Sequence, residues 1–283
     1  MRNFTKDEFE FVKKCLENNI PKWRFIRSVF HTSEHVFQRM CKESGLGEYP
    51  NFRKNKVWFN PFEDVMNPEV QYWLGWLATD GTVQTSGKEK RCSLRLQDKD
   101  RDVIEKFNKF LGGKLTISTV KHHNKFLQTG VSFRNEKIIN FLEKLGFNNN
   151  KTFDFEPQFE ITWDYIRGCF EGDGYLRWGK TCEFSILTAS VKHLEKLERF
   201  FKNFNFNIKI KKLKNRKSDI YQISCYRKKE IIQILDNIYK DADTFMNRKY
   251  TLARSISNNA WKSLKFGEPA SGIPSEAQEI GNV

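Results

Sequence analysis

The sequence predicts an α+β protein: a pseudo-symmetric tandem repeat of αββαββα units forming a basic, saddle-shaped β-surface, preceded by a small three-helix domain. Three observations predict it. Landmarks near residues 67–155 recur near 162–253. Within each copy, apolar residues pass from helical to strand spacing in the same order, and the strand patterns leave one face rich in basic and polar side chains.

The repeat keeps register over long stretches. Leu74-Gly75 through Asp80-Gly81 falls on Arg167-Gly168 through Asp173-Gly174 at an offset of 93, and Phe133-Arg134 falls on Tyr226-Arg227 at the same offset. Between them Ile104 and Phe107 match Leu194 and Leu197 at an offset of 90, so loop-length differences shift the register and then restore it. The chain divides accordingly into a helix-turn-helix module (1–48), a basic linker (49–66), a first repeat (67–156), a second repeat (157–254) and a flexible tail (255–283).

In the first module, Thr5 and Glu8 read as a capping box that opens a helix, with further helices near 21–30 and 33–44 joined by the turn His31-Thr32-Ser33. In the last of these, Val36, Phe37, Met40 and Cys41 face inward. Ser33, His35, Gln38 and Arg39 face out, as on a helix that reads a DNA groove. The linker carries Arg53, Lys54 and Lys56.

The first helix of each repeat begins with a cap, Asn67 followed by Pro68 in one copy and Thr162 in the other. Val70, Trp73, Leu74 and Leu77 then form an apolar stripe at helical spacing. In the strand that follows, Cys92, Leu94 and Leu96 alternate with Arg91, Ser93, Arg95 and Gln97; the second copy answers with Cys182, Phe184 and Ile186, and further on Ile208 and Ile210 alternate with Lys209 and Lys211. The open, polar faces give the expected DNA contacts. These are Gln84, Arg91, Ser93, Arg95 and Gln97 in the first copy, and Tyr175, Arg177, Lys180, Ser185, Lys209, Lys211, Lys212, Lys214 and Arg216 in the second.

Composition agrees with a polyanionic partner. Lys and Arg outnumber Asp and Glu by 49 to 35, a net charge of +14 weighted toward the second copy, and counterion release from phosphates rewards such a balance. The six cysteines lie singly, without the paired spacing of a zinc site or a disulfide framework. No apolar stretch reaches membrane-spanning length, and the opening residues lack the apolar core of a signal peptide. The expected setting is the cytoplasm of a bacterial or phage-infected cell, or an organellar matrix.

The chemistry is expected at the ends of the two first helices, Trp73 to Gly81 and Ile166 to Gly174. Gly75 with Thr79, and Gly168 with Gly172, place small residues four apart, which lets two helix backbones approach closely and brings both C-terminal ends together. Two carboxylates, Asp80 and Asp173, then meet where the helix dipoles disfavour them, unless a cation sits between. Hard oxygen ligands favour Mg²⁺, an ion suited to phosphodiester hydrolysis.

These paired motifs resemble those of the LAGLIDADG homing endonucleases, and the resemblance spans residues 67–254. It implies a monomeric endonuclease that hydrolyses both strands of a long, asymmetric double-stranded DNA target and leaves short 3′ overhangs. It implies that Asp80 and Asp173 share two or more Mg²⁺ ions, helped by the backbone carbonyls of Thr79 and Gly172. Ala78 departs from the family's frequent first acid, which Glu171 keeps; the metal-binding position is the final acid of each motif. Lys151 and Lys249, 71 and 76 residues beyond Asp80 and Asp173, resemble the family's basic active-site residues and would act near the scissile phosphate. Two alternatives stay open on the same scaffold: an RNA-splicing maturase with intron RNA as partner, and a transcription regulator that binds without cutting. The triplet His122-His123-Asn124 has no counterpart in the second copy and reads as a polar loop rather than a metal site.

Overall fold

A computed structural model describes residues 3–17, 29–47, 49, 57, 59–87, 90–122, 126–213, 219–266 and 279–280. They form two compact units, Met1–Phe59 and Asn60–Val283.

In the first unit, helix α1 (Lys6–Glu17) opens with the capping box: Glu8 N–H donates to Thr5 Oγ1 at 3.2 Å and Thr5 N–H to Glu8 Oε2 at 2.9 Å. Helix α2 (Glu34–Glu43) starts at Ser33, whose hydroxyl accepts from Val36 N–H, after a turn in which His31 takes φ 45°. Val12, Cys15, Phe30, Phe37, Cys41 and Tyr49 form the core. Tyr49, read from sequence as linker, is thus core. The helix expected over 21–30 lies outside the described residues through residue 28, as do Arg53, Lys54 and Lys56.

The second unit holds both repeats. The first runs α3 (Pro68–Thr79), β1 (Gly81–Gln84), β2 (Arg91–Gln97), α4 (Arg101–Phe110), β3 (Ser118–His122), β4 (Phe126–Phe133), α5 (Glu136–Lys144) and the short α6 (Lys151–Asp154). The second runs α7 (Trp163–Asp173), β5 (Gly174–Arg177), β6 (Glu183–Thr188), α8 (Val191–Asn203), β7 (Ile208–Lys212), β8 (Tyr221–Cys225), α9 (Lys228–Tyr239) and α10 (Asn247–Phe266). Each repeat builds an antiparallel sheet, ordered β1-β2-β4-β3 and β7-β8-β6-β5. Alternation along β2 is as the sequence predicts: Cys92, Leu94 and Leu96 are buried, while Arg91 and Arg95 are exposed.

Asn67 caps α3 through its side chain; Thr162 is the N-cap residue of α7, but its side chain makes no cap hydrogen bond. Its N–H and hydroxyl turn to the Gln71 side-chain oxygen at 3.3 and 3.4 Å, joining the two helix starts instead. Ile210, expected inward, is 41% exposed, because β7 is an edge strand. The tail is not structureless throughout: α10 continues to Phe266, and β9 (Glu279–Ile280) pairs with Leu176 and Arg177 at the sheet edge.

Candidate active site

Helices α3 and α7 cross at their small residues. A Cβ on Gly168 would lie 2.2 Å from the Tyr72 carbonyl oxygen, and one on Gly75 would lie 2.4 Å from the Tyr165 carbonyl oxygen. Only hydrogen fits between backbones at that separation. A Cβ on Gly172 would meet Thr79 Oγ1 at 2.0 Å and Asp80 Oδ2 at 2.9 Å, so the last turn of α7 lies directly against the end of α3.

This crossing gathers four ionisable groups. Burial, and then the Asp173 charge, push the Asp80 carboxyl up to about 7; burial raises Asp173 as well. Lys151 and Lys249 are 8% and 1% exposed, and burial brings them down to about 8 and about 7. The Lys151 ammonium donates to the carbonyls of Ala78 and Thr79 at 2.8 and 2.9 Å, and Lys249 donates to Phe170 and Gly174, both at 2.7 Å. Each lysine therefore caps a helix C-terminus, where orphan carbonyls and the dipole both favour a cation. The Thr79 carbonyl, expected from the resemblance to help hold metal, already accepts from Lys151.

The residues present fit a hard divalent cation. Asp80 Oδ2 is buried and has no hydrogen-bond partner, a cost that a cation would remove. The candidate donors are oxygens throughout. No group of three or more His, Cys, Asp or Glu converges among the described residues, so two carboxylates would leave most of the coordination shell to water and substrate oxygen.

For the metal-free protein these shifts set the sign of the pH dependence. From the ordinary carboxylate range up to about 7, folded Asp80 keeps a proton that the unfolded chain has lost, so stability falls as pH rises across that window. From about 7 up to the ordinary lysine range, the unfolded chain keeps a proton that folded Lys249 gives up, so stability recovers. The site's contribution should thus be lowest near neutral pH. Thermal unfolding without metal is expected to show the acid-side fall, and Asp80→Asn to flatten it; an unchanged pH profile in the mutant would refute the assignment.

Glu171 has a different part. It is fully buried and accepts from Tyr72 OH at 2.6 Å, Tyr239 OH at 3.0 Å and Met246 N–H at 2.7 Å, so it ties α3, α7 and α9 to the start of α10.

The open face of the first sheet brings together Gln84, Arg91, Ser93, Arg95 and Gln97 on neighbouring strands. A cleft there reaches Asp80 past Arg95, Gln97, Phe126 and Gln128. On the second sheet, Lys209, Lys211 and Lys212 are exposed and Tyr175 is half-buried, and Lys180 is exposed in the loop between β5 and β6. Ser185 is not available: it is fully buried and accepts from Gln222 Nε2 at 2.9 Å, because the longer amide lies across it. Arg177 pairs with Glu183 at 3.4 Å, and Lys212 pairs with Asp219 at 2.6 Å. Lys214 and Arg216 lie outside the described residues, as do His123 and Asn124.

Sequence reasoning missed Gln128, Glu183 and Gln222 on these faces. The signal was alternation in β4 and β8, where Gln128 and Ser132 oppose Val131 and Phe133, and Gln222 and Ser224 oppose Ile223 and Cys225.

The expected reading helix α2 is corrected in part. His35 is exposed, but Gln38 is spent on the Tyr49 backbone, donating to its carbonyl at 2.7 Å and accepting from its N–H at 2.9 Å. Ser33 is the helix cap, and Arg39 lies 3.7 Å from Glu43.

Among the described residues no helix is long and apolar enough to cross a membrane. In comparisons with known proteins, 158 residues are 24% identical to a glutamine–fructose-6-phosphate aminotransferase of Methanocaldococcus jannaschii, covering 51% of this chain and 14% of that protein's length. Among solved structures, the fold is similar to the homing endonuclease I-WcaI bound to its DNA recognition sequence, with 16% identity, coverage of 74% of this chain and 97% of that one, and a TM-score of 0.51. A weaker likeness is to I-SmaMI bound to uncleaved DNA with calcium ions present, at 13% identity over 71% of this chain and 93% of that one, with a TM-score of 0.48. The LAGLIDADG-like domain matches residues 67–146 and again 162–239, each match beginning at one of the two crossing helices. The chain therefore belongs to the LAGLIDADG-like domain family, in a form that carries the domain twice.

Proposed function

We propose that the protein is a site-specific endonuclease that hydrolyses both strands of a long, asymmetric double-stranded DNA target, acting as a monomer with Mg²⁺ and leaving short 3′ overhangs. The observation that carries this reading is the pair of buried helix-end carboxylates, one with an oxygen lacking any partner, enclosed by two buried lysines. A binding protein gains nothing from such a pair, since two neighbouring carboxylates repel and both are desolvated.

Asp80 and Asp173 would hold the metal jointly. The ion supplies, when bound, an activated water and charge stabilisation of the leaving oxygen. As ammonium groups, Lys151 and Lys249 each spend two of three N–H donors on helix ends, which leaves a third for a phosphate oxygen or a water. If they act on the transition state, Lys151→Met and Lys249→Met should each lower the cleavage rate by roughly 10² with little change in site affinity. Equal losses of rate and affinity would reduce them to phosphate anchors.

Both repeats lie in one chain, so a second copy is not needed to complete the centre. The half-sites should also differ: Arg91 and Arg95 face out of one sheet, while the matching face of the other carries Glu183 held by Arg177 and Gln222. The N-terminal unit would extend the footprint on one side. Deleting residues 1–59 should shorten protection at one end and leave the cut position unchanged; symmetric shortening would contradict this.

The test of function is digestion of a library of randomised DNA duplexes with Mg²⁺, followed by sequencing of the cut ends. One non-palindromic consensus with short 3′ overhangs is expected. No cleavage of any member, or a palindromic consensus, would contradict the reading.

A further inference from the structure

Each buried lysine rides on a segment that the opposite repeat holds. Lys249 is the third residue of α10, whose first N–H groups need partners from outside the helix. Met246 N–H finds Glu171 at 2.7 Å, and Asn247 N–H finds Asp102 at 3.4 Å. Asp102 belongs to α4 of the first repeat, and two further contacts come from the residue that caps this helix and from its next turn. Arg248 makes a two-pronged pair with Asp100 at 2.7 and 3.2 Å, and Lys106 donates to the Phe245 carbonyl at 2.5 Å. Asp100 is 7% exposed at its side chain and Arg248 25%, so the pair is largely screened from water, and its fork fixes direction as well as distance.

The reciprocal arrangement holds Lys151, the first residue of α6. Ser190, buried ahead of α8 in the second repeat, donates from its hydroxyl to the Phe155 carbonyl at 2.6 Å. Lys192 pairs with Asp154 at 2.9 Å, and the His193 ring meets the Phe155 ring edge to face at 5.2 Å. Asp100 and Ser190 occupy matched places at the heads of α4 and α8, with the offset of 90 that also relates Ile104 to Leu194. The side chains differ and the device is the same.

We propose that the turns at Asp100 and Ser190 are reciprocal braces, each positioning the active-site lysine of the opposite repeat, so that breaking one brace impairs cleavage of one DNA strand and spares the other. Lys151 serves the end of α3 and Lys249 the end of α7, so each brace acts on one side of the acid pair. The strand-selective consequence rests on the endonuclease reading; the positioning does not.

The experiment has two readouts on the same variants. In the metal-free protein, reductive methylation quantified lysine by lysine should rise on the order of tenfold at Lys249 in Arg248→Ala, with Lys151 unchanged, and the reverse should hold in Ser190→Ala, because local opening governs access to a buried amine. Arg248→Lys should restore part of the protection. In strand-resolved cleavage, Arg248→Ala and Ser190→Ala should slow opposite strands by about tenfold or more, so that nicked duplex accumulates, while DNA affinity in Ca²⁺ is kept. Asp100→Asn serves in place of Arg248→Ala should the latter fail to fold. Equal labelling changes at both lysines, no change at either, or equal slowing of both strands would overturn the proposal. Failure of the unaltered chain to cut any DNA would instead overturn the endonuclease reading, and the labelling would still decide the braces.

Discussion

Replacing either helix-end carboxylate, Asp80→Asn or Asp173→Asn, is expected to abolish DNA cleavage while DNA binding in Ca²⁺ persists. The amide keeps the shape of the carboxyl and removes the charge, so the oxygen shell is left with one anion instead of two. A loss of at least about 10³ in rate is reasonable for a metal-dependent hydrolysis deprived of half its anionic ligands. Binding should survive because the basic strands, rather than the acid pair, meet phosphate and groove. The same change removes a buried, raised carboxyl, so metal-free Asp80→Asn should be at least as stable as the unaltered protein near neutral pH. That second readout separates lost chemistry from lost folding. Near-normal cutting by either variant would end the metal-site account.

The largest effect on stability is expected from Gly168→Ala. Its added methyl would sit 2.2 Å from the Tyr72 carbonyl oxygen and 3.0 Å from Gly75 Cα, and both are backbone atoms that no rotamer change can move. The helices must therefore separate along a crossing that buries Tyr72, Trp73, Trp76 and Tyr165. Overpacking typically costs 1–3 kcal/mol, and a backbone clash at the centre of a crossing belongs at or above the top of that range, roughly 3 kcal/mol or more. For a unit of this size that corresponds to a fall of about 6–12 °C in the unfolding midpoint. Activity should fall too, since the crossing sets the approach of Asp80 to Asp173. A Gly168→Ala protein that melts with the unaltered one would show that the backbones do not approach this closely.

Much of this was legible in sequence because it depends on local spacing. Gly75 and Thr79, and Gly168 and Gly172, sit one helical turn apart, so a close-approach face could be read directly, and the repeat required two such faces to meet. The alternation in β2 fixed which face carries Arg91 and Arg95. What escaped was non-local. Ser185 alternates correctly for an open face, and only the fold brings Gln222 across it. Gln38 has the right helical phase for a base contact, but a segment 11 residues on folds back to claim both of its polar atoms. The lysines could be matched between copies, yet nothing in their neighbours announces that both would be buried on helix ends. The braces at Asp100 and Ser190 were invisible for the same reason: Asp100 and Arg248 are 148 positions apart, and Ser190 and Phe155 are 35 apart.

The central claim is that Asp80 and Asp173, delivered by the two crossing helices, hold divalent metal together. Anomalous scattering from Mn²⁺ in crystals of the protein with its DNA target tests it most directly. The account predicts an anomalous peak bridging the two carboxylates, lost in Asp80→Asn. Manganese bound elsewhere, or carboxylates that remain metal-free in a cleavage-competent complex, would contradict it.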